Sequence, residues 1–384
     1  MSNVIKILKD STINKIAAGE VVEAPYSVVK ELIENAIDAR ATNIIIEIKE
    51  GGQKYIRVSD NGEGIYEEDV ETAFMRHATS KIMIVEDLSS VLTLGFRGEA
   101  LASIAAVSQT QIITKPQKQL HGISMDIAGG NIINKRQVGA PDGTTIIVEN
   151  LFFNVPARLK FMKSAQAEST RIGEIISRLA LSKPNIAFKY INNNNIMFTT
   201  PGNNNMHQTI LSVLGKELSK NLLPISTTTD IIKVDGFISQ PIYVRGNRNF
   251  EIAFVNGRYV KSNLISKAVE DAYKEKLLIN KFPVYILNID IDQKLVDVNV
   301  HPTKTEVKIQ EEGIVYQHIY DIVHFTLRKN SVVPSLMIKN DNNDKNSLRN
   351  QTYCRNSFKE NKSVYNTYNN DEFDVSQIVY VEQE

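Results

Sequence analysis

Apolar positions recur at helical spacing over residues 28–39 and at strand spacing on the segments that follow. In VVKELIENAIDA, Val29, Leu32, Ile33, Ala36 and Ile37 fall on one side of a helical wheel. Glu31, Glu34, Asn35 and Asp38 share an arc of roughly 100° on the other side. Two β-rich runs come next, NIIIEIKE (43–50) and KYIRVSD (54–60), with Gly51-Gly52 between them as a hairpin signal. QTQIITK (109–115), GISMDIA (122–128) and GTTIIVENL (143–151) read as further strands, and STRIGEIISRLALS (169–182) reads as a helix. This mixture predicts an α+β fold, an α/β sandwich with helices on one face of a mostly antiparallel sheet.

The breaker-rich stretch TTPGNNNMH (199–207) marks a boundary. A second α/β unit is expected beyond it, with strands near 231–239, 250–256, 283–291 and 295–300. Its helices are expected near 207–215, 261–277 and 313–329. Residues 340–370 contain 10 asparagines, so apolar burial there cannot offset the entropy of ordering. The expected organisation is 1–203, 204–330, and a disordered linker or tail over 331–384.

Composition narrows the class. The 384 residues are 42% apolar and 23% charged, with 44 basic and 44 acidic side chains, so bulk charge gives no support for polyanion binding. Cys354 is the one cysteine, which excludes a disulfide framework and a cysteine-based zinc site. Charges interrupt every apolar run at the N-terminus, and no stretch approaches the length of a membrane span. A cytoplasmic protein without a membrane partner is expected.

Several short features carry candidate chemistry, and each admits a plainer reading. The 31/34/35/38 stripe is a site or a solvated helix face; its like-charge neighbours cost only tenths of a kcal/mol. SDNGEGI (59–65) sets Asp60 at a strand end before glycines that let a ligand approach the backbone, or it is simply a turn. Gly95-Phe96-Arg97-Gly98 opens an apolar helical run, as an anion cradle or an ordinary capped helix. Gly143-Thr144 offers a hydroxyl to a ligand or starts a strand. There is no GxxxxGK[ST] P-loop and no HExxH zinc motif.

Taken in order, the helix with E…N…DA, then DNGEG, a Gly-rich stretch and GT resemble the GHKL ATPases. INKIAAGEVVEAPYSVVKELIENAIDA (13–39), RHATSKI (76–82), LGFRGEAL (94–101), LFFNVPARLKFMK (151–163), FVNGRYV (254–260) and VDVNVHPTKTEVKI (296–309) are similar to the MutL/Mlh/Pms branch of mismatch-repair proteins. The likeness runs from about 5 to 330, roughly 85% of the chain. It implies a Bergerat-type ATPase domain, a second domain of ribosomal-S5-domain-2-like type, and slow hydrolysis of ATP with Mg2+.

The resemblance also implies residue roles. Glu31 would be the general base, and Asn35 a Mg2+ ligand and nucleotide contact. Asp60 would accept the adenine amino group, with Asp38, Ala39, Gly62, Gly64 and Thr144 near the nucleotide. Lys81 and the Gly95, Phe96, Arg97, Gly98 stretch would form a lid over the phosphates, and Lys304 would reach the γ-phosphate from the second domain. The first 20 residues or so would exchange across an ATP-dependent homodimer. Partners would be a MutS-type mismatch-recognition protein, a downstream helicase or endonuclease, and DNA held non-specifically. Arg245, Arg248, Arg258 and Lys261 are candidate phosphate contacts or ordinary surface charges. Arg40 departs from the pattern, standing where many relatives have glycine. No metal-dependent nuclease is expected in this chain. The alternative is a truncated, non-hydrolysing nucleotide-binding scaffold.

Overall fold

The computed structural model describes residues 18–19, 21–79, 98–277, 280–292, 296–297, 308–309 and 311–330. The chain divides into a compact unit, Met1–Val332, and the remainder, Val333–Glu384; every described residue belongs to the first.

Helix α1 (Pro25–Asp38) opens with proline at its first position, where the missing N–H is harmless. Two strands follow, β1 (Asn43–Lys49) and β2 (Tyr55–Asp60), antiparallel and joined by the Glu50–Gly52 turn as expected. After them come α2 (Ala100–Ala106), β3 (Gln109–Lys115), β4 (Gly122–Ala128), β5 (Asn131–Val138) and β6 (Gly143–Glu149). The domain continues with α3 (Pro156–Phe161), α4 (Ala165–Ser182), β7 (Ala187–Asn192) and β8 (Asn195–Thr199). Eight strands form one sheet in the order β5-β4-β3-β6-β2-β1-β7-β8. All its pairs are antiparallel except β1 with β7.

The period-2 pattern explains which face is covered. Ile44, Ile46 and Ile48 of β1 and Ile56 of β2 are fully buried, in one core with Val28, Val29, Leu32 and Ile33 of α1 and Ile172 and Ile176 of α4. Each such side chain contributes about 2 kcal/mol by leaving water. The intervening positions carry polar pairs such as Arg57 with Glu47 at 2.7 Å.

A second sheet, of order β13-β12-β15-β10-β9, is built from β9 (Leu222–Thr228), β10 (Ile232–Ser239), β12 (Glu251–Val255), β13 (Arg258–Val260) and β15 (Tyr285–Ile291). Two short ladders accompany it, β11 (Val244–Arg245) with β14 (Phe282–Pro283) and β16 (Val296–Asp297) with β17 (Lys308–Ile309). The helices of this half are α5 (Met206–Leu214), α6 (Lys216–Lys220), α7 (Asn263–Tyr273) and α8 (Glu312–Lys329). One face of this sheet shares a core with α7 and α8 through Ala268, Val269, Tyr273, Val315, Ile319 and Val323. Its other face contributes Phe254 and Ile286 to a cluster with Leu181 of α4 and Ile210 of α5. Among the described residues, no helix is long and apolar enough to cross a membrane.

The end of α1 shows how Arg40 is accommodated. The Arg40 N–H donates to Ile37 O (3.0 Å) and the Ala41 N–H to Ala36 O (3.1 Å), a Schellman closure that places Arg40 at φ +59°. A side chain there is strained, and glycine is not. Arg40→Gly is therefore expected to stabilise the fold by about 1 kcal/mol, the loss of an exposed ion pair to Glu63 at 3.3 Å notwithstanding. Urea unfolding monitored by circular dichroism checks the sign.

Candidate active site

The polar stripe of α1 divides in two. Glu31, Asn35 and Asp38 are partly accessible, whereas Glu34 is buried, so the four do not form one solvated face. Lys30, which the helical wheel does not single out, bonds Glu34 at 3.1 Å and Glu31 at 3.4 Å. Burial works to lower the Lys30 pKa, but Glu34 and then Glu31 outweigh it and hold the ammonium above its ordinary value. Glu31 thus keeps a charged neighbour on the side away from Asn35, and lies one helical turn before that amide.

The row leads to Asp60. The C-cap of α1, Ala39, accepts the Glu63 N–H at 2.9 Å through its carbonyl. A Cβ on Gly62 would come within 2.6 Å of that same oxygen, so only glycine lets the turn after β2 close on the helix end. Asp60 is the last residue of β2, opposite Thr144 of β6, and its Oδ1 accepts the Gly62 N–H at 2.8 Å. Burial pushes the Asp60 carboxyl up to about 6, against the pull of the Gly62 and Thr144 amides. Such a carboxylate is a half-desolvated acceptor at neutral pH.

Thr144 sits 3.0 Å, hydroxyl to hydroxyl, from Thr114 of β3, which also receives the Ile65 N–H at 2.9 Å. Thr114 ties the DNG turn to the sheet, and sequence reasoning missed it. Its signal was present only as a buried polar position in an alternating strand, QTQIITK. Gly64 adopts φ +71° with its Cα against the Lys115 carbonyl; an added Cβ would lie 2.6 Å from it.

Of the lid candidates, Gly98 alone is described. It adopts φ +60° and stands so close to Ala78 that a Cβ would meet the Ala78 carbonyl at 2.5 Å, while His77 Nδ1 lies 3.3 Å from Glu99 Oε1. Lys81, Gly95, Phe96, Arg97 and Lys304 lie outside the described residues. So do His301, the first 17 residues and the 331–384 tail.

Two of the candidate DNA contacts are engaged internally. Arg248 donates to Glu270 at 2.6 and 3.0 Å and lies over the Phe282 ring; Arg245 stacks on Tyr243 and Phe250. Nearby, burial raises the Glu251 carboxyl to about 7, with Glu270 adding to the rise.

The donor set suits a magnesium nucleotide. An acidic oxygen and an amide oxygen one turn apart match a hard cation and phosphates, and a buried acceptor at the far end of the row matches an exocyclic amine. The eight-stranded sheet with this row beside it defines an ATPase domain of the GHKL class, followed by a second α/β unit. Residues 23–145 match the model of the histidine kinase-, DNA gyrase B- and HSP90-like ATPases, and 210–328 match that of the DNA mismatch repair protein C-terminal domain. The chain belongs to the MutL family of DNA mismatch repair proteins. It is 49% identical over 334 residues to MutL of Agathobacter rectalis, covering 87% of this chain and 51% of that protein. It is 51% identical over 315 residues to MutL of Clostridium tetani, covering 82% and 51%. The chain spans about half the length of these curated relatives.

Among solved structures, the N-terminal domain of a DNA repair protein superposes with a TM-score of 0.70 at 27% identity, over 84% of this chain and 99% of that one. The Aquifex aeolicus MutL ATPase domain complexed with ADP gives 0.54 at 27% identity, over 71% and 93%. The gyrase B subunit of Myxococcus xanthus, at 12% identity and a TM-score of 0.54 over 83% and 96%, shares the fold.

Proposed function

We propose that this chain binds ATP with Mg2+ along the Glu31–Asp60 row, hydrolyses it slowly, and pairs with a second copy through its N-terminal half when ATP is bound. The observation that carries the reading is the continuity of the row. Glu31 and Asn35 share a face of α1, and the helix ends against the very turn that Asp60 closes. Glu31 would take a proton from the attacking water, and Lys30, held between Glu31 and Glu34, would fix the rotamer of that carboxylate. Asn35 would offer its amide oxygen to Mg2+, which neutralises phosphate charge when bound. Asp60 would accept the adenine amine, with Asp38, Ala39, Gly62, Gly64 and Thr144 around it.

Lys81 and the Gly95–Gly98 stretch would gather at the phosphates, and Lys304 would join them from a second domain beginning near 204. The ADP carried by the Aquifex domain is the kind of ligand this row would hold. In the cytosol the ATP-bound pair would couple a MutS-type mismatch-recognition protein to a helicase or endonuclease, with DNA held non-specifically.

ATP hydrolysis measured over a protein concentration series tests this reading. Specific activity should rise with concentration toward a plateau, as expected when a second copy completes the site. Nucleotide binding with no hydrolysis at any concentration would favour the non-hydrolysing scaffold instead.

A further inference from the structure

Two stretches that carry the family likeness, the one around Gly19 and FFNVPAR at 152–158, take no part in the Glu31–Asp60 row, yet they meet each other. The helical turn at 18–22, where the Val22 N–H donates to Ala18 O at 2.8 Å, cannot run on into α1. Ala24 is extended (φ −159°) and Pro25 has no N–H. The Gly19 and Val22 carbonyls therefore need partners from elsewhere. Arg158 supplies them, Nη2 donating to Gly19 O at 2.6 Å and Nη1 to Val22 O at 2.5 Å. The guanidinium passes so close over Gly19 that a Cβ there would stand 2.3 Å from Nη2.

The same segment closes a second helix. Helix α2 ends at Ala106 with Val107 as its C-cap; the Val107 carbonyl accepts the Phe152 N–H at 2.7 Å, and Asn154 Nδ2 donates to Ala106 O at 2.9 Å. Phe152 is fully buried and carries the Arg158 guanidinium over its ring at 5.6 Å. Residues 152–158 thus hold the C-terminal ends of two helical stretches at once. One leads into α1, which bears Glu31 and Asn35; the other is α2, which follows Gly98.

We propose that residues 152–158 act as a double staple, with Arg158 a positioning residue that ties the 18–22 turn to α2. Nucleotide contacts made ahead of α2 are thereby transmitted to the chain ahead of α1. The inference rests on the reading that ATP binding pairs the N-terminal halves, and gives that pairing a route through the fold. Arg158 touches no nucleotide; it acts by keeping the 18–22 turn in the one arrangement competent to pair.

Arg158→Ala, Arg158→Lys, Gly19→Ala and the Gly19→Ala/Arg158→Ala double variant of the full chain test the staple. Alanine is the better helix former, so propensity alone predicts that Gly19→Ala is harmless, whereas the staple predicts harm. Affinity for a fluorescent ATP analogue at low protein concentration should stay within about twofold of wild type. The protein concentration giving half-maximal specific ATPase activity should rise about tenfold in Arg158→Ala and in Gly19→Ala, because the competent fraction falls about threefold and both copies of a pair must be competent. The double variant should be no worse than either single one, since both break the same contact. Arg158→Lys, with one donor group for two carbonyls, should fall between. Amide exchange at 18–22 in the analogue-bound protein should quicken about tenfold in both single variants.

If wild type shows no hydrolysis, the ATPase reading fails, and the exchange at 18–22 alone then judges the staple. Unchanged exchange in Arg158→Ala, or losses that add in the double variant, would overturn it.

Discussion

Replacing Asp60 by asparagine is expected to cut nucleotide affinity about a hundredfold while raising the thermal midpoint of the fold. The two effects share a cause. Burial lifts the carboxyl from 3.8 to about 6. Between those values the folded chain binds more protons than the unfolded chain, so unfolding free energy falls as pH rises through this window. Above pH 6 the ionised carboxylate costs the fold about 3 kcal/mol at most. Asparagine keeps an oxygen for the Gly62 N–H and carries no charge to desolvate. A gain of about 1–2 kcal/mol is expected after the amide's own burial is counted.

Binding moves the other way, because the amide NH2 would face the adenine amine and leave donors unpaired, a loss of about 2–4 kcal/mol. In wild type, affinity should weaken about tenfold per unit below pH 6 as the acceptor is protonated, a dependence the variant lacks. Anisotropy titrations with a fluorescent nucleotide from pH 5 to 8, beside thermal melts, read both. Binding by the variant within about threefold of wild type would remove Asp60 from the nucleotide site.

The second large effect concerns Glu31. Glu31→Ala is expected to lower kcat by about 10²–10⁴ and leave nucleotide affinity nearly unchanged, the signature of a group that acts on the water rather than on the bound ground state. Its ion pair with Lys30 at 3.4 Å is partly exposed, so little stability should be lost with it. Glu34→Ala makes the control: Glu34 is buried beneath Lys30, so its loss should cost stability and leave turnover within a few-fold. Steady-state hydrolysis at saturating ATP separates the two. Full activity in Glu31→Ala, with Glu34→Ala inactive, would transfer the base to the buried Glu34 and undo the assignment.

Much of the fold was legible where burial leaves a periodic trace. Strands β3 and β4 begin and end where alternation places them, and α1 follows its apolar stripe. Strand β5 was not foreseen, because it lies at a sheet edge with exposed side chains almost throughout, and NIINKRQV carries no alternation. The β7–β8 hairpin hid inside an asparagine-rich run. Asn193 and Asn194, at φ +48° and +67°, make the tight turn that suits that residue pair. Helix α4 starts at Ala165, ahead of the expected 169, because the Ser164 side chain caps it by accepting the Ala167 N–H.

The sequence by itself determined the helical row of Glu31, Asn35 and Asp38 and the strand-end position of Asp60. These follow from local spacing and the special dihedrals of glycine. Only the tertiary structure decided that Glu34 is buried and paired with Lys30, that Thr114 anchors the DNG turn, and that Asp60 is desolvated enough to titrate near 6. It alone brought Arg158 onto the carbonyls of Gly19 and Val22. The reason is physical: desolvation and distant hydrogen bonds depend on what packs against a group. The parallel pairing of β1 with β7, strands far apart in the chain, leaves no mark in the spacing of either.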